Sequence, residues 1–148
     1  YHGIPSLGPV MGRLMAVKTL RHTSIPRSAV VVPVPLHPDR FRERGYNQSE
    51  KLAGGFSAYS GLPVDTGLLK RPRYTQTQTR LSPAERAANV ADAFIYTGEH
   101  TLDGREAVII DDVLTTGSTI AACVRALKDG GAGRIVISVL ATPEPGAE

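Results

Sequence analysis

Two adjacent carboxylates, Asp111 and Asp112, follow the apolar run 107–110 and precede Val113, Leu114 and the polar loop Thr115, Thr116, Gly117, Ser118, Thr119. Acids at the tip of a buried strand are expected to stay solvated, where each can accept two hydrogen bonds from a vicinal diol, so a sugar is the natural partner. The loop offers a different chemistry. If it leads into a helix, its free backbone N–H groups and the positive end of the helix dipole converge on one point, with four hydroxyls beside them, and form a phosphate cradle. Gly117 lets backbone approach an anion with no Cβ in the way. Acids for ribose hydroxyls beside amides for a phosphate describe a ribose 5-phosphate site. Charged hydrogen bonds of roughly 1.5–3 kcal/mol each suffice in sum for micromolar binding. The plainer alternative is a strand whose Asp-rich turn caps a helix, but a cap needs one such residue and the acids and loop hydroxyls here number six. Neither GxxxxGK[ST] nor GxGxxG occurs.

Positioning such groups requires strands that end at one edge and helices that start there. Residues 7–20 carry Val10, Met11, Leu14, Val17 and Leu20 at helical spacing. The β-branched run 29–35, AVVVPVP, predicts a strand buried on both faces and stopped by proline, followed by a polar, basic loop. A helix is expected from near Asn47, with Glu50 placed for a capping box, Leu52, Phe56 and Tyr59 on one face, and Gly61 and Pro63 at its end. Gly54 and Gly55 weaken that helix. GLLKRP (67–72) suggests a short strand. The segment 72–92 reads as an exposed loop holding a short helix that starts at Ser82, Pro83 and Glu85. Strands are expected at 93–98 and 105–110, joined by a turn at Asp103 and Gly104. Ile120, Cys123, Val124 and Leu127 mark a helix stopped by Gly130 and Gly131, and 134–140 is the last strand. The alternation predicts an α/β fold with a mostly parallel central sheet and helices on both faces, whose ligands lie at the carboxyl ends of strands.

With 148 residues and 41% hydrophobic content, a single domain with a real core is expected over residues 1–148. A net charge of +3 fits an anionic ligand or nucleic acid, yet decides nothing by itself. Cys123 is the sole cysteine, which excludes a disulfide framework and a thiolate zinc cluster within these residues and makes a reducing, cytoplasmic setting the expectation. No apolar stretch reaches the roughly 20 residues of a membrane span, and the N-terminus lacks the layout of a signal peptide. The chain begins at Tyr1 rather than Met, as a fragment of a longer product would.

The stretch VIIDDVLTTGSTI (108–120) resembles the thirteen-residue phosphoribosyl pyrophosphate (PRPP) motif of type I phosphoribosyltransferases. A second resemblance is narrower. VPVPLHPDRFRERGYNQSEKLA, LLKRPRYTQTQTRLSPAERAANVADAF and DDVLTTGST stand in the order and rough spacing of the ComF family, over about residues 30–141. That family typically carries an N-terminal four-cysteine zinc ribbon, which is absent from these residues. The resemblance implies a type I phosphoribosyltransferase-like fold and Mg²⁺-dependent transfer of ribose 5-phosphate from PRPP to a nitrogen acceptor, an unidentified nucleobase or other amine, with release of pyrophosphate.

It also implies roles. Residues 111–119, with Val113 and Leu114 between the acids and the loop, would bind the ribose phosphate: Asp111 and Asp112 would hold the ribose hydroxyls and residues 115–119 the 5-phosphate, with Asp112 and Arg86 the catalytic candidates. The loop 36–48 would lie where type I enzymes bind pyrophosphate, and Leu36, His37, Arg44, Lys70 and Arg73 would take it, with Mg²⁺ carried by PRPP and Asp111 and Asp112 its candidate protein ligands. The 72–92 segment would be a lid, with Gln78, Arg86 and Asn89 its candidate residues, that excludes water and brings positive charge to the leaving group. Arg40 and Arg42 fit either phosphate neutralisation or a solvated basic edge, whereas surface roles are expected for Arg71 and Arg80. His37 fits a hydrogen-bonded loop histidine better than a metal ligand. Tyr46 and Tyr74 fit base stacking and packing under their loops equally well. Three readings stay open: a transferase, a PRPP-binding regulatory module without turnover, and an accessory of DNA-uptake machinery that binds nucleic acid non-specifically.

Overall fold

A computed structural model describes residues 7–72 and 93–142. In chain order these residues form α1 (Gly8–His22), β1 (Val30–Pro33), α2 (Pro38–Arg44), α3 (Gln48–Ser60), β2 (Leu69–Lys70), β3 (Ile95–Tyr96), β4 (Ala107–Val113), α4 (Ser118–Asp129) and β5 (Ile135–Ala141). Strands β1, β4 and β5 form a parallel sheet in that spatial order, with Val31 opposite Val108 and Ile109 opposite Ile137. Val64 adds a parallel bridge on the outer side of β1. Strands β2 and β3 pair antiparallel in a separate ribbon. No helix among the described residues is long and apolar enough to cross a membrane.

The continuous apolar runs have a direct cause. Successive side chains of a strand point to opposite faces, and here both faces are covered. Val30, Val32, Ala107 and Ile109 pack with Ile120, Cys123, Ala126 and Leu127 of α4. Val31, Val108 and Ile110 pack with Met15 and Ala16 of α1 and Leu52, Ala53 and Phe56 of α3. Cys123 belongs to the α4 face, where burial pushes its thiol up to about 12 and keeps it protonated.

Three expectations change. The first helix does not bury the Val10 and Leu14 stripe, which is 54% and 56% exposed. Its buried face holds Gly8, Gly12, Met15 and Ala16, because α1 crosses α3 at glycine contact. A Cβ on Gly12 would lie 1.9 Å from the Leu52 carbonyl oxygen, and one on Gly55 2.0 Å from that of Pro9. The stretch after β1 is not all loop. It contains α2, which has no buried residue and is held by an N-cap from His37, Pro38 in the first turn, and the exposed pairs Arg42–Asp39 and Arg40–Glu43. The third change lies at the end of β4, where Asp111 is buried. The short helix expected from Ser82 lies outside the described residues. The turn at Asp103 and Gly104 forms with both residues in the left-handed region, although β3 pairs with β2 instead of extending the main sheet.

Candidate functional site

The direction of the chain changes between β1 and β4. From β1 it passes through α3 to Val64 on one side of the sheet, and from β4 through α4 to β5 on the other. Parallel crossovers share one hand, so the two helices cover opposite faces and a crevice opens at the carboxyl ends of β1 and β4. A cleft of about 210 Å³ lies there, lined by Val34, Pro35 and Leu36 after β1, by Asp111, Asp112 and Val113, and by Thr119 of α4. Arg44, Asn47, Gln48, Ser49 and Arg71 complete it.

Asp111 does not emerge from the strand tip as a solvated acid. It lies within β4, in register with Val139, and is only 8% exposed. Pairing with β5 runs on to Val113 and Ala141, so the strand carries both acids. Burial pushes the Asp111 carboxyl up to about 6 from 3.8, opposed by the Asp112 backbone N–H and aided by the neighbouring Asp112 charge. Its Oδ1 accepts hydrogen bonds from the Ser49 hydroxyl at 3.0 Å and the Asp112 N–H at 2.9 Å. Asp112 is half-buried, and its Oδ1 accepts from the Val113 N–H at 2.8 Å.

The raised value carries a stability sign. The folded chain holds a proton on Asp111 that the unfolded chain releases near pH 3.8, so this group favours folding most below about pH 4. That contribution is lost as pH rises through about 6, and above it the buried charge costs about 3 kcal/mol relative to acid. Asp111→Asn is therefore expected to stabilise the free protein at pH 8, by up to about 3 kcal/mol, with the gain vanishing near pH 4. Urea unfolding at the two pH values checks it; a destabilised variant at pH 8 would contradict the burial argument.

The loop after β4 behaves as a helix start. Gly117 sits in the left-handed region (φ 77°) as the N-cap of α4 and supplies no side-chain cap, so the first N–H groups of a twelve-residue helix keep their donor capacity. Thr116 and Ser118 hydroxyls lie 3.0 Å apart at this end, and Leu114 is fixed by its N–H to the Ala141 carbonyl. Thr115 and Thr116 are exposed.

The RGYNQ block proves to be the joint between β1 and α3. Gly45 closes α2 in the left-handed region, and Asn47 caps α3 by accepting from the Ser49 N–H at 3.1 Å. The Asn47 amide donates to the Val34 carbonyl at 3.0 Å and to Glu50 Oε1 at 3.3 Å, so Glu50 meets the cap's side chain instead of its backbone. Asn47 and Ser49 thus tie the ends of β1, α3 and β4 into one edge.

Of the other expected site residues, Leu36 and Arg44 line the cleft, while His37 is buried beside it, capping α2 through the Asp39 N–H at 3.2 Å. Lys70 is exposed on β2 and is not among the cleft-lining residues. Arg73, Gln78, Arg80, Arg86 and Asn89 lie outside the described residues. Arg71 overturns its surface expectation: it lines the cleft with its guanidinium 5.2 Å from the centre of the Phe94 ring. Asn47 and Gln48 end the loop expected at the pyrophosphate, with no individual role expected for either, and Ser49 lies just outside it. Their only signal is membership of the RGYNQ block and the residue after it, since Ser49 meets Asp111 across 62 positions.

The phosphoribosyl transferase domain family matches residues 43–147. The DNA utilization protein YhgH of Salmonella typhi is 34% identical over 134 residues, 88% of this chain and 58% of that protein. Competence protein F of Haemophilus influenzae is 32% identical over 129 residues, 86% and 56% of the two chains. The resemblance to the ComF family is thereby borne out, and the chain spans just over half the length of these relatives. Among solved structures, a purine phosphoribosyltransferase from Pyrococcus horikoshii superposes with a TM-score of 0.58 at 19% identity, over 94% of this chain and 76% of that one.

Proposed function

This chain belongs to the phosphoribosyl transferase domain family and has the α/β fold of its type I members, and from that premise we propose that its cleft binds PRPP and transfers ribose 5-phosphate to a nitrogen acceptor. The observation that carries the reading is one continuous segment, 111–119, which sets two carboxylates and an open helix N-terminus at the switch point of a parallel sheet. Asp111 and Asp112 take the ribose diol, and the N–H groups of 115–119 take the 5-phosphate. Arg44 and Arg71 supply positive charge on the β1 side of the cleft, where the pyrophosphate lies.

Transfer breaks the bond between C1 of the ribose and the pyrophosphate oxygen, and the electron pair leaves with pyrophosphate. The acceptor nitrogen forms the new C1–N bond and loses its proton. Positive charge that develops on the sugar ring is stabilised by the adjacent carboxylates, and negative charge on the leaving group by the arginines. Among the described residues no group of three or more His, Cys, Asp or Glu could cage a metal. A pair of carboxylates suits Mg²⁺, which keeps several waters and binds through one or two acids plus substrate phosphates; Asp111 and Asp112 would hold it. When bound it neutralises the pyrophosphate oxygens.

Diol hydroxyls donate more strongly to an ionised carboxylate than to a protonated one, so binding favours loss of the Asp111 proton. Affinity for PRPP is therefore expected to rise as pH passes upward through about 6 and to level above it. The part of that rise due to Asp111 disappears in Asp111→Asn, which titrations at pH 5 and 7.5 measure.

The reading is tested by mixing the protein with PRPP, Mg²⁺ and a panel of nucleobases and other amines. Acceptor-dependent release of pyrophosphate supports a transferase; PRPP binding with no release across the panel leaves a regulatory binding module. The names of the two relatives favour a second reading, a role linked to DNA uptake, with the net charge of +3 as its physical support. DNA affinity that collapses between low and moderate salt would mark it.

A further inference from the structure

Gln48 opens α3 and lines the cleft beside Ser49 and Asp111. Its Oε1 is buried and accepts no hydrogen bond from the described residues. A buried acceptor left in this state costs about 1–3 kcal/mol, and the helix start does not require it, because Asn47 already caps α3. A carbonyl oxygen can be satisfied only by a donor. The carboxylates nearby and the phosphate oxygens of a ligand, when ionised, only accept. We propose that Gln48 is a positioning residue of the cleft: its Oε1 accepts a hydrogen bond from a donor that the bound ribose phosphate brings, a ribose hydroxyl or a water on the accompanying Mg²⁺. The proposal rests on the ribose-phosphate reading above and adds a contact from α3 to those from β4 and the loop after it. It also explains why this block tolerates the cost, since the penalty of the free state is removed when the ligand arrives.

The test uses Gln48→Met, which keeps the length of the side chain and removes the acceptor. Two measurements are made on wild type and variant: thermal unfolding without ligand, and titration with PRPP plus Mg²⁺ and with ribose 5-phosphate without metal. The expected result is a variant that melts at or above wild type yet binds PRPP about three- to tenfold more weakly, the loss of one neutral hydrogen bond. A loss with both ligands assigns the donor to a ribose hydroxyl, and a loss confined to PRPP with Mg²⁺ assigns it to a water on the metal. Wild-type binding that the substitution leaves unchanged would overturn the proposal alone. A variant that both melts lower and binds worse would make Gln48 a structural residue and overturn it too. Failure of wild type to bind either ligand would remove the ribose-phosphate reading and this proposal together.

Discussion

Asp112→Asn is expected to weaken PRPP binding by about 10- to 100-fold while leaving the fold intact. Asp112 is half-buried at the end of β4, and its Oδ1 takes the Val113 N–H. Asparagine can keep that local bond through its carbonyl. What it cannot keep is the charge or the second acceptor, since an NH₂ group replaces the oxygen proposed to meet the diol. Hydrogen bonds to a charged partner contribute roughly 1.5–3 kcal/mol, which sets the size of the effect. Thermal unfolding of the variant is expected to match wild type, and titration to show the loss. Equal affinity would remove the diol assignment to Asp112.

The second large effect is on stability and lies far from the cleft. Gly55→Ala is expected to destabilise the protein by about 3 kcal/mol or more, because the added Cβ falls 2.0 Å from the Pro9 carbonyl oxygen and forces α1 and α3 apart. A flexible side chain could move aside; a helix backbone cannot. Gly54→Ala supplies the contrast. Nothing lies within 4 Å of the new Cβ there, so the alanine gains helix propensity and is expected to stabilise by about 0.5–1 kcal/mol. Urea unfolding of the two variants, one residue apart and opposite in sign, separates backbone contact from propensity. A mild effect at Gly55 would mean that the helices do not cross as closely as described.

That pair also shows where sequence reasoning stops. Helical period and β-branched runs locate β1, α3, β4, α4 and β5 because their packing depends on apolar side chains, whereas the stripe that locates α1 leaves Val10 and Leu14 exposed. The α1 and α3 crossing depends on glycines, which carry no hydrophobic signal, so Gly55 reads as a weakness when it is a requirement. Helix α2 was illegible for a related reason: it buries no residue and shows no apolar face. In the site, the acids, the loop and the helix start were legible because one unbroken segment holds them. The depth of Asp111 was not. Its burial comes from pairing of β4 with β5 past Ile110 and from Ser49 on α3, partners that no local pattern announces. Arg71 was misread on the same ground, since its contact with Phe94 arises only when the β2 and β3 ribbon brings the two together.

The proposed transferase function stands on PRPP binding in the cleft between the ends of β1 and β4. Calorimetric titration of PRPP into the protein, with and without Mg²⁺ and with Asp112→Asn alongside, tests it most directly. Saturable binding in the micromolar range is expected, strengthened by Mg²⁺ and weakened by the substitution. Absence of saturable binding under both conditions, in wild-type protein that unfolds cooperatively, would contradict it.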